Sequence, residues 1–403
     1  MLELRPILSA LWRHKVSALL IALQLGLTLA IVSNALVVIS ERTERISRPT
    51  GVAENEIVTF NFMAIPKDYD MYDAFRQDLD MIRALPGVAS ATISNHVPLS
   101  GSGSASGFYT EPNKETGAMG SNYYTVDEHF VDALGMKLIA GRGFYPEEIM
   151  QIDPSSNDRP KVSVVTQKFA DDLFPESDGN VLGKSFFLGG DDHPIEIVGI
   201  VERNLGPWPN SSIAGRGAFY PAITDRWFYY IVRAEPGQRD EVLKLVEEKL
   251  AERDGNRVIN ANTMEEEKAQ YFAGDNTMIK VLSGVIVLLT FIVALGIVGL
   301  TVFWITQRQK QIGVRRALGA TRTAISRYFL LENLMIAATG IALGTAAAQI
   351  FNGFLVREFD QPALPVSVTV FCALGLLAVS LAAALVPALR AANISPAMAT
   401  RSV

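Results

Sequence analysis

The sequence predicts an α-helical membrane protein with four transmembrane helices and a large α+β extracytoplasmic domain inserted between helices 1 and 2. Three observations carry that class. Only 19% of the 403 residues are charged, against about a quarter in ordinary soluble chains, and the mean hydropathy is positive, +0.21. The deficit is concentrated in four apolar stretches, Val16 to Ser40, Val281 to Ile305, Tyr328 to Val356 and Leu364 to Leu389, and Glu332 is the single charge within them. Lys and Arg far outnumber Asp and Glu on one side of these stretches only.

Each stretch is long enough to cross a bilayer. At 1.5 Å per residue, a helix of about 25 residues spans roughly 37 Å, against a hydrocarbon core of about 30 Å. The first span is preceded by Arg5, Arg13 and Lys15, and Ser33-Asn34-Ala35 loosely resembles a signal cleavage site. Its apolar run exceeds the roughly 7 to 15 residues of a signal peptide, so a retained anchor is expected. The expected division is a cytoplasmic segment 1–15, span 16–40, an α+β core domain with a helical stalk 41–277, span 278–305, a cytoplasmic loop 306–327, span 328–356, a short outer loop 357–363, span 364–389 and a tail 390–403.

Orientation follows from the basic residues flanking the spans. The N-terminal segment, the loop after the second span and the C-terminal tail together hold 11 Lys/Arg and one acid, Glu3. The remaining 25 basic and 40 acidic residues, Glu332 set aside, fall on the opposite side and give it about −15. Both termini are therefore expected in the cytoplasm, with the large domain on the outer side of the membrane. The net charge of −6 argues against a nucleic-acid partner, and one cysteine cannot build an internal disulfide framework.

Within the inserted domain, Glu56 to Asn61, Ala89 to Ser94, Lys161 to Thr166, Ile195 to Val201 and Phe228 to Ala234 read as strands because Val, Ile, Thr and aromatics dominate them. Met71 to Leu85, closed by Pro86-Gly87, and Arg239 to Arg253, closed by Asp254-Gly255, read as helices. Recurring strand-turn-helix units predict small split βαβ sheets rather than a sandwich. Ser100 to Gly107 (SGSGSASG) reads as a mobile loop.

Apparent catalytic motifs fall away on inspection. Gly179 to Ser185 is one residue short of a phosphate-binding loop and lies on the wrong side of the membrane for ATP, so a turn feeding a strand at Ser185 to Leu188 is expected. His14, His96, His129 and His193 are scattered, and Asp191 and Asp192 beside His193 read as a polar turn rather than a metal site. The chain is thus expected to have no catalytic residue, no metal and no cofactor of its own.

The informative segment is the basic loop from Thr306 onward. Ile312, Arg315, Arg316 and Leu318 lie at helical spacing and predict a short amphipathic helix at the membrane surface, with Gly319 as terminator and Thr321 as N-cap of the next helix. Glu332, one turn into the third span, is expected to pair with Arg327 or an arginine of the loop, because an unpaired carboxylate there costs roughly 2.5 to 3.5 kcal/mol on insertion scales.

The stretch Arg308 to Glu332 (RQKQIGVRRALGATRTAISRYFLLE) resembles the signature of MacB/FtsX-like permeases, the membrane subunits of a class of ABC transporters. Ile312, Gly313, Arg315, Arg316, Ala317, Gly319, Ala320 and Glu332 match the family pattern, while Gln311 stands where the family usually has glutamate. Val181 to Gly190 with Ile195 to Val201 is similar to the family's outer core domain, and Pro387 to Ala397 is similar to its usual ending, so the resemblance covers the whole chain.

The resemblance implies a permease that passes ATP-driven movement across the membrane, with Gln311 to Ala320 as the coupling site for a cytoplasmic ABC ATPase. Since only about 15 residues precede the first span, that ATPase is expected to be a separate subunit, which uses ATP and Mg. A second copy of this chain or a similar permease is implied, and a periplasmic adaptor and outer-membrane channel if the output is efflux of peptides, antibiotics or toxins. Lipoprotein release of the Lol type and FtsX-like signalling without transport are the alternative outputs. Glu41 to Ile46 and Met264 to Phe272 are expected to extend the first two spans into a stalk.

Overall fold

The structure, a computed structural model, describes residues 12, 15–62, 71–114, 116–152, 158–177, 181–189, 191–224, 228–254, 257–359 and 362–395. Arg5, Arg13, His14, Gly179 and the tail from Pro396 lie outside them. The chain divides into two compact units, Ser47–Ala273 and a second made of Met1–Ile46 with Gly274–Val403.

The helical unit contains α1 (Lys15–Ser47), α7 (Ala273–Gln307), α8 (Gln309–Ala317), α9 (Arg322–Phe359) and α10 (Val366–Ala392). Four of these are long and apolar enough to cross a membrane. Most outrun the apolar stretches that announced them, because a helix continues past the hydrocarbon wherever its polar flank has helical propensity. Ile21, Ala22 and Leu25 of α1, Val293 and Ile297 of α7, Ile336 and Ala337 of α9 and Ala384 of α10 form one core.

Small residues set how closely α1 and α9 approach. Ala22 and Gly26 on α1 face Gly340 and Gly344 on α9, and a β-carbon added at Gly344 would lie 2.6 Å from the Gly26 Cα. In lipid, where apolar burial gives no driving force between helices, such close backbone packing is what holds a pair together. A polar tie reinforces it: Asn352 Nδ2 donates to Asn34 Oδ1 at 3.0 Å, and Asn352 Oδ1 accepts from the Leu364 backbone N–H at 2.8 Å.

The other unit has two halves. In the first, β1 (Ile57–Phe62), α2 (Met71–Arg83) and β2 (Val88–Ser94) combine with β11 (Tyr229–Ala234), α5 (Arg239–Arg253) and β12 (Ile259–Thr263). Their strand order, β12-β1-β11-β2, is all antiparallel and is that of a split βαβ sheet. Phe75, Leu79 and Ile82 of α2 and Val242, Val246 and Leu250 of α5 pack on one face of it. The opposite face meets a second core around Tyr124, Phe130 and Phe219.

The second half, inserted between β2 and β11, departs from the expectation of small separate sheets. It holds β3 (Ser104–Tyr109), β4 (Met119–Val126), α3 (Phe130–Ala133), β5 (Leu138–Gly141), β6 (Met150–Gln151), β7 (Val162–Thr166), α4 (Gln167–Leu173), β8 (Ser185–Leu188), β9 (Ile195–Val201) and β10 (Gly217–Ile223). The pairings β4-β3-β8-β9-β7-β10 return to β4, closing a six-stranded barrel around Phe108, Phe169, Phe186 and Ile197. One rung, Ser94 to Val126, joins the halves into a continuous sheet.

Ser104 to Gly107, expected as part of a mobile loop, lies in β3, where Ser106 pairs with Ser121 and Gly107 with Gly120. Small residues are tolerated there because both partners of the ladder are small at the same level. Met264 to Phe272, expected to extend the second span, forms a separate helix α6 (Met264–Tyr271) that ends with Phe272 as its C-cap. Thr263 and Glu266 form a capping box at its start, and Lys268 pairs with Glu54 at 2.8 Å, so α6 belongs to the α+β unit.

Candidate functional site

The basic corner between α7 and α9 is assembled from short-range signals. Leu318 ends α8, and Gly319 takes a left-handed φ of +95°, a conformation open to glycine at little cost. The Ala320 N–H reaches back to the Arg315 carbonyl at 3.0 Å and the Gly319 N–H to that of Arg316 at 3.2 Å, which is the Schellman closure of a helix end. Thr321 Oγ1 then accepts from the Ala324 N–H at 3.2 Å and caps α9.

One face of α8 is fixed to the core. Ile312 is buried with Ile305, Ile325, Phe329 and Ala388, Gly313 is buried beside it, and Arg316 Nη1 donates to the Ala320 carbonyl at 3.1 Å. The Arg315 guanidinium lies 5.2 Å from the centre of the Tyr328 ring, within cation–π reach. Gln311, Val314, Arg315, Ala317 and Leu318 are exposed, Leu318 at 83%. The free face is therefore an apolar pair one turn apart, Val314 and Leu318, bordered by Lys310, Gln311 and Arg315, with no acid between Thr306 and Leu331.

Beneath the corner, Glu332 is fully buried, and Arg308 Nη1 donates to both of its carboxylate oxygens at 3.0 Å. The Arg308 side chain is itself 12% exposed and sits over the Trp304 ring, 5.8 Å from its centre. Of the two partners expected for Glu332, the structure selects the loop arginine and not Arg327, which is exposed. Arg308 precedes α8 and Trp304 lies in the last turn of α7, so this one pair ties α7, the start of α8 and α9 together.

Residues that the sequence did not single out surround this site. Asn333, next to Glu332, donates to the Phe329 carbonyl at 2.9 Å and accepts from Thr301 Oγ1 at 3.4 Å. Near the opposite end, Arg42 of α1 forms an ion pair with Asp275 of α7. The glycine pair on α9 carried a readable signal, the small-x-x-x-small spacing, whereas the two ion pairs depend on rotation about helices that no pattern in the sequence specifies.

In the α+β unit, Asp191, Asp192 and His193 bring their ligand atoms within 4.8 Å of one another. Asp191 is committed to Arg159 at 3.0 Å and to His193 Nδ1 at 2.6 Å; these bonds hold its carboxyl well below the usual range, the His193 contact first. The cluster is a salt-bridged, exposed turn between β8 and β9. The strand after the near-miss phosphate loop, Ser185–Leu188, is β8.

A polytopic helical unit with a large folded domain inserted after its first span is the architecture of a membrane permease with an extramembrane domain. Two family models match: a MacB-like periplasmic core domain over residues 20–249, which takes in most of the first span and most of the α+β unit, and an FtsX-like permease C-terminal region over 283–396. The chain belongs to the MacB/FtsX-like permease family. It is 26% identical over 337 residues to a macrolide export ATP-binding/permease protein of Neisseria gonorrhoeae, covering 79% of this chain and 48% of that one. A protein of the same description from Paracoccus denitrificans is 25% identical over 287 residues, covering 68% and 41%. The chain thus spans about half the length of the curated relatives it matches. The crystal structure of the periplasmic region of MacB from Actinobacillus actinomycetemcomitans is similar at a TM-score of 0.36 and 16% identity, over 56% of this chain and 97% of that one.

Proposed function

We propose that this chain is the permease of a MacB-type ABC transporter and passes ATP-driven movement from a cytoplasmic ATPase to its α+β domain in the periplasm. The observation that carries the proposal is α8: one face anchored by Ile312, Gly313 and the Arg308–Glu332 pair, the other presenting Val314 and Leu318 within a basic rim. A helix anchored on one side and apolar on the other fits the groove of a partner lined by acidic groups. Gln311 to Ala320 then form the coupling contact, ATP and Mg are handled by the partner, and both termini face the cytoplasm. The basic corner supports that orientation through the positive-inside rule.

The transporter works as a pair of permeases, this chain with a second copy or a similar one. The relatives described as macrolide exporters favour efflux of compounds already in the periplasm, with an adaptor and an outer-membrane channel. Leu318→Asp tests the coupling contact: its side chain is exposed, so folding should persist while co-purification with the ATPase and stimulation of ATP hydrolysis fall at least tenfold. Unchanged stimulation would remove α8 from the mechanism. An adaptor recovered with the solubilised complex supports efflux, whereas a lipoprotein chaperone or a cell-wall hydrolase in its place would overturn that output.

A further inference from the structure

Between residues 15–22 of α1 and 335–343 of α9, the helical unit carries an open groove of about 500 Å³. It begins where the tight crossing of the two helices ends. At Gly26, Gly340 and Gly344 the backbones leave no room for a side chain, whereas towards the start of α1 the small side chains of Ala18 and Ala22 leave the space between the helices unfilled. Leu19, Ile336 and Leu343 make the walls apolar, and Lys15, the first residue of α1, stands with Trp12 at one end. Both are exposed, and among the described residues no acid pairs with Lys15.

Shape and charge together select what covers the groove. It runs about 12 Å along α9, from Met335 to Leu343 at 1.5 Å per residue, so its mean section is about 40 Å², roughly half that of a helix of about 10 Å diameter. An extended hydrocarbon chain fits such a groove and a helix does not. A second copy of this chain would also leave Lys15 unanswered: the apolar stretches hold one acid, Glu332, and Arg308 donates to both of its oxygens. A basic group at the mouth of an apolar groove between spans instead matches the phosphate and acyl chain of an anionic lipid, with Trp12 at the level where tryptophan lines the membrane interface.

We propose that the groove binds an anionic phospholipid from the leaflet around the start of α1, with its phosphate at Lys15 and the upper part of an acyl chain against Ala18, Ala22 and Leu343. The site is separate from the contact face of α8, and its failure would leave the permease assignment untouched.

The test uses the full chain in detergent micelles, with dioleoyl phosphatidylglycerol as the anionic probe and dioleoyl phosphatidylcholine as its zwitterionic counterpart, read by native mass spectrometry. Wild type should retain the phosphatidylglycerol at least fivefold more tightly. Lys15→Gln should bring the two lipids level, while Lys280→Gln, at an exposed lysine of α7 outside the groove, should keep the wild-type preference. Ala18→Phe, which fills the groove, should lower retention of both lipids. Equal retention of the two lipids by wild type, a preference that survives Lys15→Gln, or one lost equally in Lys280→Gln would overturn the proposal. So would a wild-type dimer that Ala18→Phe converts to monomer, which would give the groove to a second copy of this chain.

Discussion

Glu332 shows how one residue can be costly alone and stabilising in context. A carboxylate within a span is unfavourable, yet here both oxygens accept from Arg308 Nη1 at 3.0 Å while the Trp304 ring covers the guanidinium. Removing one partner strands the other charge, so Glu332→Ala should destabilise the chain by about 3–5 kcal/mol in reversible denaturation in mixed micelles. Glu332→Gln keeps one acceptor and should cost less, and Glu332→Leu with Arg308→Met should recover most of the loss. An alanine variant as stable as wild type would show that the pair contributes nothing. His96 illustrates the opposite case in the α+β unit. It contacts Ser104 Oγ at 2.7 Å, and burial lowers its pKa from 6.5 to about 4. Between those values the unfolded chain binds a proton that the folded chain refuses. The contribution of His96 to stability is therefore full above about pH 6.5 and is lost as pH falls towards 4. An NMR titration should place the His96 midpoint near the lower value, and His96→Gln should flatten the melting temperature between pH 6.5 and 4. A His96 midpoint near 6.5 would contradict this.

Among the elements, the α1–α9 crossing is specified by absence of side chain. Gly344→Val would drive a branched side chain into the Gly26 backbone, whose Cα lies 2.6 Å from the position of an added β-carbon. The helices must separate, and a loss of about 1–3 kcal/mol or more is expected, whereas valine at Gly353, which has open space around it, should be tolerated. Equal stability of the two variants would rule out a tight crossing. The elements that could be read from sequence share one property, a single periodicity or a strong punctuator. β9 and α5 have the residue ranges that their Val/Ile content and closing turns define. β10 escaped because six of its seven residues are buried, which erases alternation, and because Pro221 argues against a paired strand. β4 escaped because Gly120, Ser121 and Asn122 read as a turn. At the site, Ile312, Gly319 and Thr321 were legible from local spacing. Arg308 as the partner of Glu332 was not, since 24 residues separate them and their meeting depends on how α7 packs against α9.

For the whole molecule, connectivity restricts how movement can leave the helical unit. The α+β unit enters the chain after α1 and leaves before α7, so those two helix ends are its only covalent links to the spans. Beyond the apolar stretches, Arg42 and Asp275 tie the same two ends together; Asp275 is buried and Arg42 mostly so. Within the spans, Gln24 of α1 lies against Gly296 of α7. On the function proposed above, a signal from α8 that displaces α7 must either carry α1 with it or break the Arg42–Asp275 pair, and only the second separates the two entry points of the α+β unit. Cysteines at Arg42 and Asp275, in a Cys372→Ser background and joined by a short bifunctional thiol reagent, distinguish these routes. If separation drives the output, the cross-link should abolish transport while ATP binding by the partner persists, and reductive release of a cleavable linker should restore it. Full transport with the cross-link in place would mean that α1 and α7 move as one body and that the stroke reaches the α+β unit without their parting.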